Sequence, residues 1–257
     1  MFRVLDDRPG SHAAVSVARP GPLRVYAHVQ AGADAADLSG LRVLLTADLL
    51  FRVAELGGLQ VLTTRAFTGD AAGKAAVERA ADALGVHPPA LPAVLAGAWP
   101  GGLSGVHVAD DAAAGEDDRG GILVRTTTAR LTGDAFPDAA AAGLLGGHDP
   151  LAVRLALMSV PRHQTAELTA ATLADAARTL SEWRRHVARW AESPSRRIPE
   201  PVQAAFRAAF DNLDTGTVLS SLSGLAADEA VPPGARFESF VYADRVLGLG
   251  LPRDIGR

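Results

Sequence analysis

The polar residues that follow the first long apolar segment are the part of this sequence best placed to do chemistry. Asp34, Asp37, Ser39 and Gly40 lie in a turn-rich stretch that runs directly into a helical pattern. Backbone N–H groups at the start of a helix favour negative charge, and doubly wound folds bind nucleotides in the loop between a strand and the next helix. The position therefore predicts a nucleotide-binding cleft, although the segment has carboxylate side chains at the place where the phosphate of a nucleotide would bind.

Two strands and one helix must position this loop. Residues 23–29 are short, β-branched and aromatic, as in a buried strand, and residues 59–64 form a second such segment. The helix between them ends at Gly57-Gly58, because glycine accepts the left-handed conformation of a helix end. Its apolar residues recur at helical spacing: Leu38, Leu41, Leu45, Leu49, Val53 and Leu56. Together these elements predict a βαβ unit.

Composition restricts the class of protein. The chain has 257 residues, of which 48% are apolar, enough for a large buried core. There is no apolar run of about 18 residues and no signal-peptide segment, so we expect a cytoplasmic protein without a membrane partner. The absence of cysteine excludes disulfides and thiolate metal sites. A net charge of −4 argues against general nucleic-acid binding.

The second half of the sequence is predicted to be helical from residue 149 onward. Leu173, Leu180 and Val187 lie seven residues apart beside a stripe of Ala176, Trp183 and Trp190, which indicates bundle packing with the aromatic residues in the core. Further helices are expected to start near Pro199, to be capped by Asp214, and to cover residues 237–247. We predict an α/β fold, with a Rossmann-like doubly wound parallel sheet in residues 1–148 and an α-helical bundle in residues 149–257.

Shorter elements complete the first half. Residues 2–5 and 14–18 suggest a hairpin, residues 69–85 a helix, and residues 105–108 and 122–128 two more strands.

Four segments in order carry a resemblance to a known family. They are Asp34, Leu38 and the run Ala47-Asp48-Leu49-Leu50-Phe51-Arg52, then residues 82–89 (DALGVHPP), residues 148–157 (HDPLAVRLAL) and residues 210–215 (FDNLDT). This pattern resembles class I cysteinyl-tRNA synthetases and, more closely, the cysteine ligase of mycothiol synthesis. The resemblance implies a class I synthetase fold with a connective insertion shortened to about thirty residues, an ordinary loop rather than a clamp for tRNA.

The family activates a carboxylate with ATP through two signatures, H-x-G-H at the first helix and K-M-S-K-S late in the sheet. The first falls on residues 37–40 and the second on residues 130–134, so Asp37, Ser39, Gly40, Arg130 and Thr132 are the corresponding positions. Both histidines and both lysines are absent, and only Arg130 retains a positive charge. Each lost stabilising group removes about 3 kcal/mol of transition-state stabilisation, so we expect no adenylation and name no catalytic residue.

Two interpretations of the cleft remain open. In the first, a ligase still activates cysteine or another amino acid, with ATP and Mg²⁺ as cofactors and Asp34, Asp37, Ser39, Gly40 and Arg130 lining the cleft. In the second, which we favour, the protein is non-catalytic and needs no cofactor. Asp37 then serves as the N-cap of the helix, which is worth about 1 kcal/mol.

The resemblance also suggests candidates for a metal site. The family holds cysteine on zinc, and its ligand positions fall on His28 and on the segment containing His107 and Asp110. Histidine and aspartate are competent ligands, but histidines on strands usually make local hydrogen bonds, so we expect no zinc. The remaining histidines lie in predicted turns or on helix surfaces and indicate nothing specific: His12, His87, His148, His163 and His186.

Other functions find little support in the sequence. It has no G-x-G-x-x-G, Walker or G-x-S-x-G motif. An arginine-rich segment could contact RNA, but acidic residues interrupt it and a solvated helix face is the simpler interpretation: Arg184, Arg185, Arg189, Arg196 and Arg197. We therefore predict a degenerate relative of the cysteine ligases that binds a small ligand or a protein partner, and we do not expect tRNA to be that partner.

Overall fold

The computed structural model describes residues 3–8, 14–16, 21–32, 34–90, 105–111, 121–133, 145 and 147–257. Within these residues the strands are β1 (Arg3–Leu5), β2 (Ala14–Ser16), β3 (Leu23–Ala31), β4 (Val61–Gly69), β5 (Val106–Asp110), β6 (Ile122–Thr126), β7 (Ala129–Leu131) and β8 (Ala166–Leu168). The helices are α1 (Ser39–Leu56), α2 (Ala71–Ala83), α3 (Pro150–Ser159), α4 (Ala170–Trp190), α5 (Glu200–Asp211), α6 (Thr215–Ala227) and α7 (Pro233–Leu247), and a 3-10 turn follows at Leu251–Asp254. Most of the predicted connective insertion lies outside the described residues.

Four parallel strands form the main sheet, in the order β4-β3-β5-β6. β3 pairs with β4 along its whole length, from Leu23 opposite Val61 to Ala31 opposite Gly69, and its other edge pairs with β5. This arrangement confirms the predicted α/β class with a parallel sheet. β3, the first strand of this sheet, lies between β4 and β5, so the chain continues first on one side of β3 and then on the other. Open α/β sheets bind ligands at such a switch point, beyond the carboxyl ends of the strands.

Helix α1 lies at the centre of the protein. It contacts β3, β4, β5 and β6, and also α2 and α7. Apolar residues fill its sheet side, and the polar residues Arg42, Thr46 and Asp48 are buried as well. The helix ends as predicted, with Gly58 in the left-handed conformation at φ +81°. A helix buried on nearly all sides must satisfy its polar side chains within the protein.

In the second half, α4 packs against α3, α7 and the 3-10 turn. Its predicted seam is buried: Leu173, Ala176, Leu180, Trp183, Val187 and Trp190. The rings of Trp183 and Trp190 meet Phe240 of α7 edge to face, with centroids 5.7 and 5.2 Å apart. These aromatic residues belong to the core, as the seam predicts, and the same apolar cluster continues into the sheet.

Two expectations for the second half are wrong. Residues 166–168 were expected to be helical, but they form β8, which pairs in parallel with β7. Arg184 was expected on a solvated face, but it is 3% exposed because its guanidinium donates to the carbonyl oxygens of Leu249 and Gly250. The other four arginines of that segment are exposed.

The smaller elements agree with the sequence. β1 and β2 form the predicted antiparallel hairpin. Asp214 caps α6 by accepting from the Thr217 N–H, and α7 ends at Gly248 in the left-handed conformation. No helix in the described ranges is both long and apolar enough to cross a bilayer.

Candidate functional site

The two signature segments, about ninety residues apart in the sequence, meet at the N-terminus of α1. Asp37 and Arg130 form an antiparallel bridge. The Leu38 N–H donates to the Ala129 carbonyl over 2.8 Å, and the Leu131 N–H donates to the Ala36 carbonyl over 2.8 Å. All six predicted positions (Asp34, Asp37, Ser39, Gly40, Arg130 and Thr132) therefore lie on this pair of segments, beyond the carboxyl end of β3.

Arg130, which holds the remaining positive charge of the second signature, is paired with Asp34. Its Nη2 lies 2.8 Å from Asp34 Oδ2, and the two side chains are 53% and 50% exposed. A pair this exposed contributes about 0–1 kcal/mol to stability. The pair has a larger effect on ligand binding, because the Asp34 carboxylate offsets the positive charge of Arg130 that would otherwise attract a phosphate group.

Asp37 places a second carboxylate at the start of the helix. Its Oδ1 accepts a hydrogen bond from the Ser39 N–H over 2.9 Å, as expected. The N-cap itself is Leu38, which makes no side-chain capping bond, so the prediction that Asp37 is the N-cap is wrong by one residue. The carboxylate still binds one of the first N–H groups of α1 and complements the positive end of the helix.

Ser39 and Gly40 both serve packing. The buried Ser39 Oγ accepts from the Ala129 N–H over 3.1 Å and so holds β7 against the helix. A Cβ on Gly40 would lie 2.9 Å from both the Gln30 carbonyl oxygen and Val29 Cγ1. Glycine at this position therefore allows α1 to approach β3 closely.

Two of the three metal candidates lie side by side. His28 Nε2 and His107 Nδ1 are 3.0 Å apart, which is a hydrogen-bonding distance, and their rings stack with centroids 5.3 Å apart. The bond occupies a nitrogen of each ring that a metal would otherwise use. Asp110 ends β5, and the described residues contain no group of three histidine or carboxylate side chains able to hold a metal ion.

An apolar groove of about 350 Å³ begins beside the signature segments. Glu167 and Leu168 of β8 line its edge, and these residues pair with Arg130 and Leu131 of β7. Its other walls come from α3, α4 and α6, and the lining includes Leu155, Ala156, Val160, Trp183 and Leu219. A mostly apolar groove with a few polar groups at its rim suits a small organic ligand.

A cluster around Asp48 was not predicted as a site. Asp48 Oδ2 lies 2.6 Å from Arg154 Nη2 and 2.8 Å from Arg52 Nε, and Oδ1 accepts from His87 Nδ1 over 2.7 Å. Burial opposes ionisation of the carboxyl, but the His87 hydrogen bonds and the charges of Arg154 and Arg52 outweigh it and hold the pKa of Asp48 well below its usual range. His87 lies in the loop after α2, as the sequence predicts, but its hydrogen bonds to Asp48 were not predicted.

Within the described residues, the N-terminus of α1 presents little that would bind a phosphate group. The signature arginine is paired, a carboxylate lies on the Ser39 N–H, and the Ser39 hydroxyl accepts from β7. None of the family models searched matches this chain, and a search of the curated proteins finds no match for it.

Proposed function

We propose that this protein is a non-catalytic binding protein with the fold of the class I cysteine ligases, a synthetase-type sheet followed by a helical bundle. Its cleft at the N-terminus of α1 does not bind ATP, and the groove beside β8 accepts a small organic ligand. The observation that carries the proposal is the ion pair between Arg130 and Asp34, with an Nη2–Oδ2 distance of 2.8 Å.

The electrostatics of the cleft support the absence of adenylation. Phosphoryl and adenylyl transfer need cations and N–H donors directed at developing negative charge, and each such donor is worth about 3 kcal/mol. Here Asp34 and Asp37 contribute two carboxylates, while Arg130 contributes one cation that is already paired. Bound polyphosphate would therefore meet repulsion where the reaction requires attraction.

The groove beside β8 supports a small ligand. Trp183, Leu155 and Leu219 supply apolar surface, while Glu167 and Asp175 supply the charge at its rim. No lysine or arginine lines the groove in the part of the chain that the structure describes. This combination favours a molecule with an apolar body and a neutral or cationic polar group over a nucleotide.

Calorimetry with ATP is the first test. Purified protein is titrated with ATP and Mg²⁺, with and without cysteine, and pyrophosphate exchange is followed in parallel. We expect neither heat nor exchange. A stoichiometric fit near one with pyrophosphate exchange would instead establish the ligase interpretation, with Asp34, Asp37, Ser39, Gly40 and Arg130 around ATP and Mg²⁺.

A thermal-shift screen of small metabolites tests the positive part of the proposal. Thr179→Phe fills the groove, and Ala174→Phe adds the same side chain on the exposed face of the same helix. A ligand of the groove should stabilise the wild type and Ala174→Phe but not Thr179→Phe. If no compound stabilises the protein, or if Thr179→Phe responds like its control, the groove is not the binding site.

A further inference from the structure

A second groove, polar and about 430 Å³ in volume, opens at the other end of α1. Arg52, Glu55, Gln60, His87 and Arg245 are among the residues that line it. The 18 residues of α1 span about 26 Å at ~1.5 Å per residue, so this groove lies far from the N-terminal cleft. None of its lining residues belongs to that cleft.

His87 is fixed in this groove by Asp48. The buried carboxylate accepts from the imidazole Nδ1 over 2.7 Å and from the His87 backbone N–H over 3.0 Å. The Phe51 ring packs against the imidazole with centroids 4.4 Å apart. Because Nδ1–H donates to the carboxylate, Nε2 on the opposite edge of the ring is left available for a ligand; His87 lines the groove and 39% of its side chain is exposed.

Several carbonyl oxygens near the groove already accept hydrogen bonds within the protein. At the end of α1, the carbonyl oxygens of Val53, Ala54 and Glu55 accept from the N–H groups of Gly57, Leu59 and Gly58. The Gly85 carbonyl is likewise taken, since it accepts from Arg52 Nη2 over 2.9 Å. With these oxygens occupied, the negative end of the helix is partly neutralised and the guanidinium and imidazole groups dominate.

The charges around the groove also favour an anion. Asp48 is shared by two guanidinium groups, those of Arg52 and Arg154. Asp244 lies near the same arginines, and its carboxylate oxygens accept from the N–H groups of Leu249 and Leu251. Arg245 is exposed in the last turn of α7 and forms no ion pair with any residue that the structure describes. Among the residues that the structure describes, Glu55 is the one carboxylate in the lining.

We propose that this groove binds a tetrahedral oxyanion, such as the phosphate group of a small phosphorylated molecule, between His87 Nε2 and the guanidinium of Arg245, with Arg52 supplying further positive charge. Guanidinium and imidazolium groups form charge-assisted hydrogen bonds with such anions. The proposal is independent of the function proposed for the cleft at the N-terminus of α1.

The charged groups that line the groove with His87 are Arg52 and Glu55 from α1 and Arg245 from α7, while Asp48 binds the Nδ1 edge of the imidazole. The imidazolium form of histidine carries an N–H on both edges of the ring, so its Nε2–H can donate to an anion while Nδ1–H donates to Asp48.

The test uses sulfate and inorganic phosphate as probes at constant ionic strength. The Nε2 resonance of His87 is followed by NMR while each anion is added at one fixed pH. Sulfate does not change its charge near neutral pH and phosphate does, so the two probes separate anion binding from protonation of the anion. We expect a saturating shift of the resonance with both anions.

Three substitutions should change the affinity for sulfate, two of them lowering it and one raising it. Arg245→Gln should weaken sulfate binding by about tenfold through the loss of a charge-assisted bond. Glu55→Gln should strengthen it by removing the opposing carboxylate. His87→Asn keeps a donor to Asp48 in place of Nδ1 but removes Nε2, so sulfate binding should weaken. Arg207→Gln removes an exposed arginine of α5 and serves as the matched control.

Two outcomes would overturn the proposal. One is a linear, unsaturated response to sulfate, which indicates general screening of charge. The other is equal affinity in Arg245→Gln and Arg207→Gln. Should His87→Asn fail to fold, the opposite effects of Arg245→Gln and Glu55→Gln still decide the result, because both positions are exposed.

Discussion

Asp48 of α1 and Arg154 of α3 form a salt bridge from which water is excluded. Oδ2 and Nη2 lie 2.6 Å apart, and both side chains are 0% exposed. The two residues are 106 positions apart in the sequence. Arg154 also donates to the carbonyl oxygens of Leu84 and Leu247, so one guanidinium connects α1, the end of α2 and the end of α7.

Removal of Arg154 should be among the most destabilising changes in this protein. Arg154→Met leaves the buried Asp48 without its closest counter-charge, which costs about 3–5 kcal/mol of unfolding free energy. Urea denaturation measures the loss. Arg178→Met removes an arginine of an exposed ion pair with Asp175 and should cost less than about 1 kcal/mol. Equal effects of the two substitutions would contradict the assigned role.

Acid should destabilise the protein through Asp48. The pKa of this carboxyl is depressed in the folded state relative to its ordinary value of 3.8. Its stabilising contribution is therefore complete above that value and is lost as the pH falls below it toward the folded pKa. Denaturation curves between about pH 7 and pH 2 should show this loss. Asp48→Asn, less stable at neutral pH, should show a smaller decline, and an unchanged decline would count against the assignment.

Asp244 should contribute with the opposite sign. Burial raises the pKa of its carboxyl above the ordinary 3.8, although the N–H groups of Leu251 and Leu249 act against the shift. Its favourable contribution is complete below that ordinary value and is lost as the pH rises through the folded pKa. Relative to the wild type, Asp244→Asn should therefore gain stability as the pH rises across this interval. A difference that stays constant with pH would show that Asp244 does not titrate there.

Arg42 should stabilise the protein through backbone carbonyl oxygens. It is 2% exposed, and its guanidinium donates to the carbonyl oxygens of Val160, Pro161 and Gln164, with N–O distances from 2.6 to 3.1 Å. Burial lowers the pKa of Arg42 to about 10, so it remains charged at neutral pH. Arg42→Met leaves these oxygens unsatisfied and should cost roughly 2–4 kcal/mol.

Two further variants, one at Arg42 and one at an exposed control position, test this role of Arg42. Arg42→Lys should retain part of the stability, because an ammonium reaches fewer carbonyl oxygens than a planar guanidinium. Arg185→Met, on the exposed face of α4, should change stability by less than about 0.5 kcal/mol. If Arg42→Met behaves like Arg185→Met in thermal denaturation, the hydrogen bonds of Arg42 do not hold the loop after α3.

Gly40 and Gly224 should respond oppositely to alanine. A Cβ at Gly40 would lie 2.9 Å from the Gln30 oxygen and from Val29, so Gly40→Ala should destabilise by about 1–3 kcal/mol. A Cβ at Gly224 in α6 meets nothing within 4 Å. Gly224→Ala should therefore raise stability by up to about 1 kcal/mol through helix propensity. Melting temperatures of the two variants test both signs, and a stabilising Gly40→Ala would refute the close approach of α1 to β3.

The hydrophobic pattern of the sequence predicted the elements that bury a regular set of side chains. The seam from Leu173 to Trp190 is buried as expected, because a 3.5-residue repeat specifies one face of a helix whatever lies against it. The parallel strands were likewise predicted from short β-branched runs. Strand β8 was missed because three residues carry no period, and its pairing with β7 depends on residues far away in the sequence.

The polar contacts of the site could not be predicted in this way, because their partners are distant in the sequence. The proximity of Asp34 and Arg130 was suggested by the order of the signature segments, but their ion pair was not. Arg184 and Asp48 look like ordinary charged helix residues in the sequence. Their burial depends on carbonyl oxygens at Leu249 and Gly250 and on Arg154, and no local pattern encodes such partners.

The central position of α1 has a consequence for how the chain folds during synthesis. Asp48 leaves the ribosome long before Arg154, and until residue 154 emerges its carboxylate has no buried counter-charge from α3. A helix that packs against the sheet and against α7 cannot be fully enclosed by the first half alone. Stable closure of the core therefore awaits contacts of large sequence separation, which form slowly, and leaves nascent α1 exposed to chaperones and proteases in the interval.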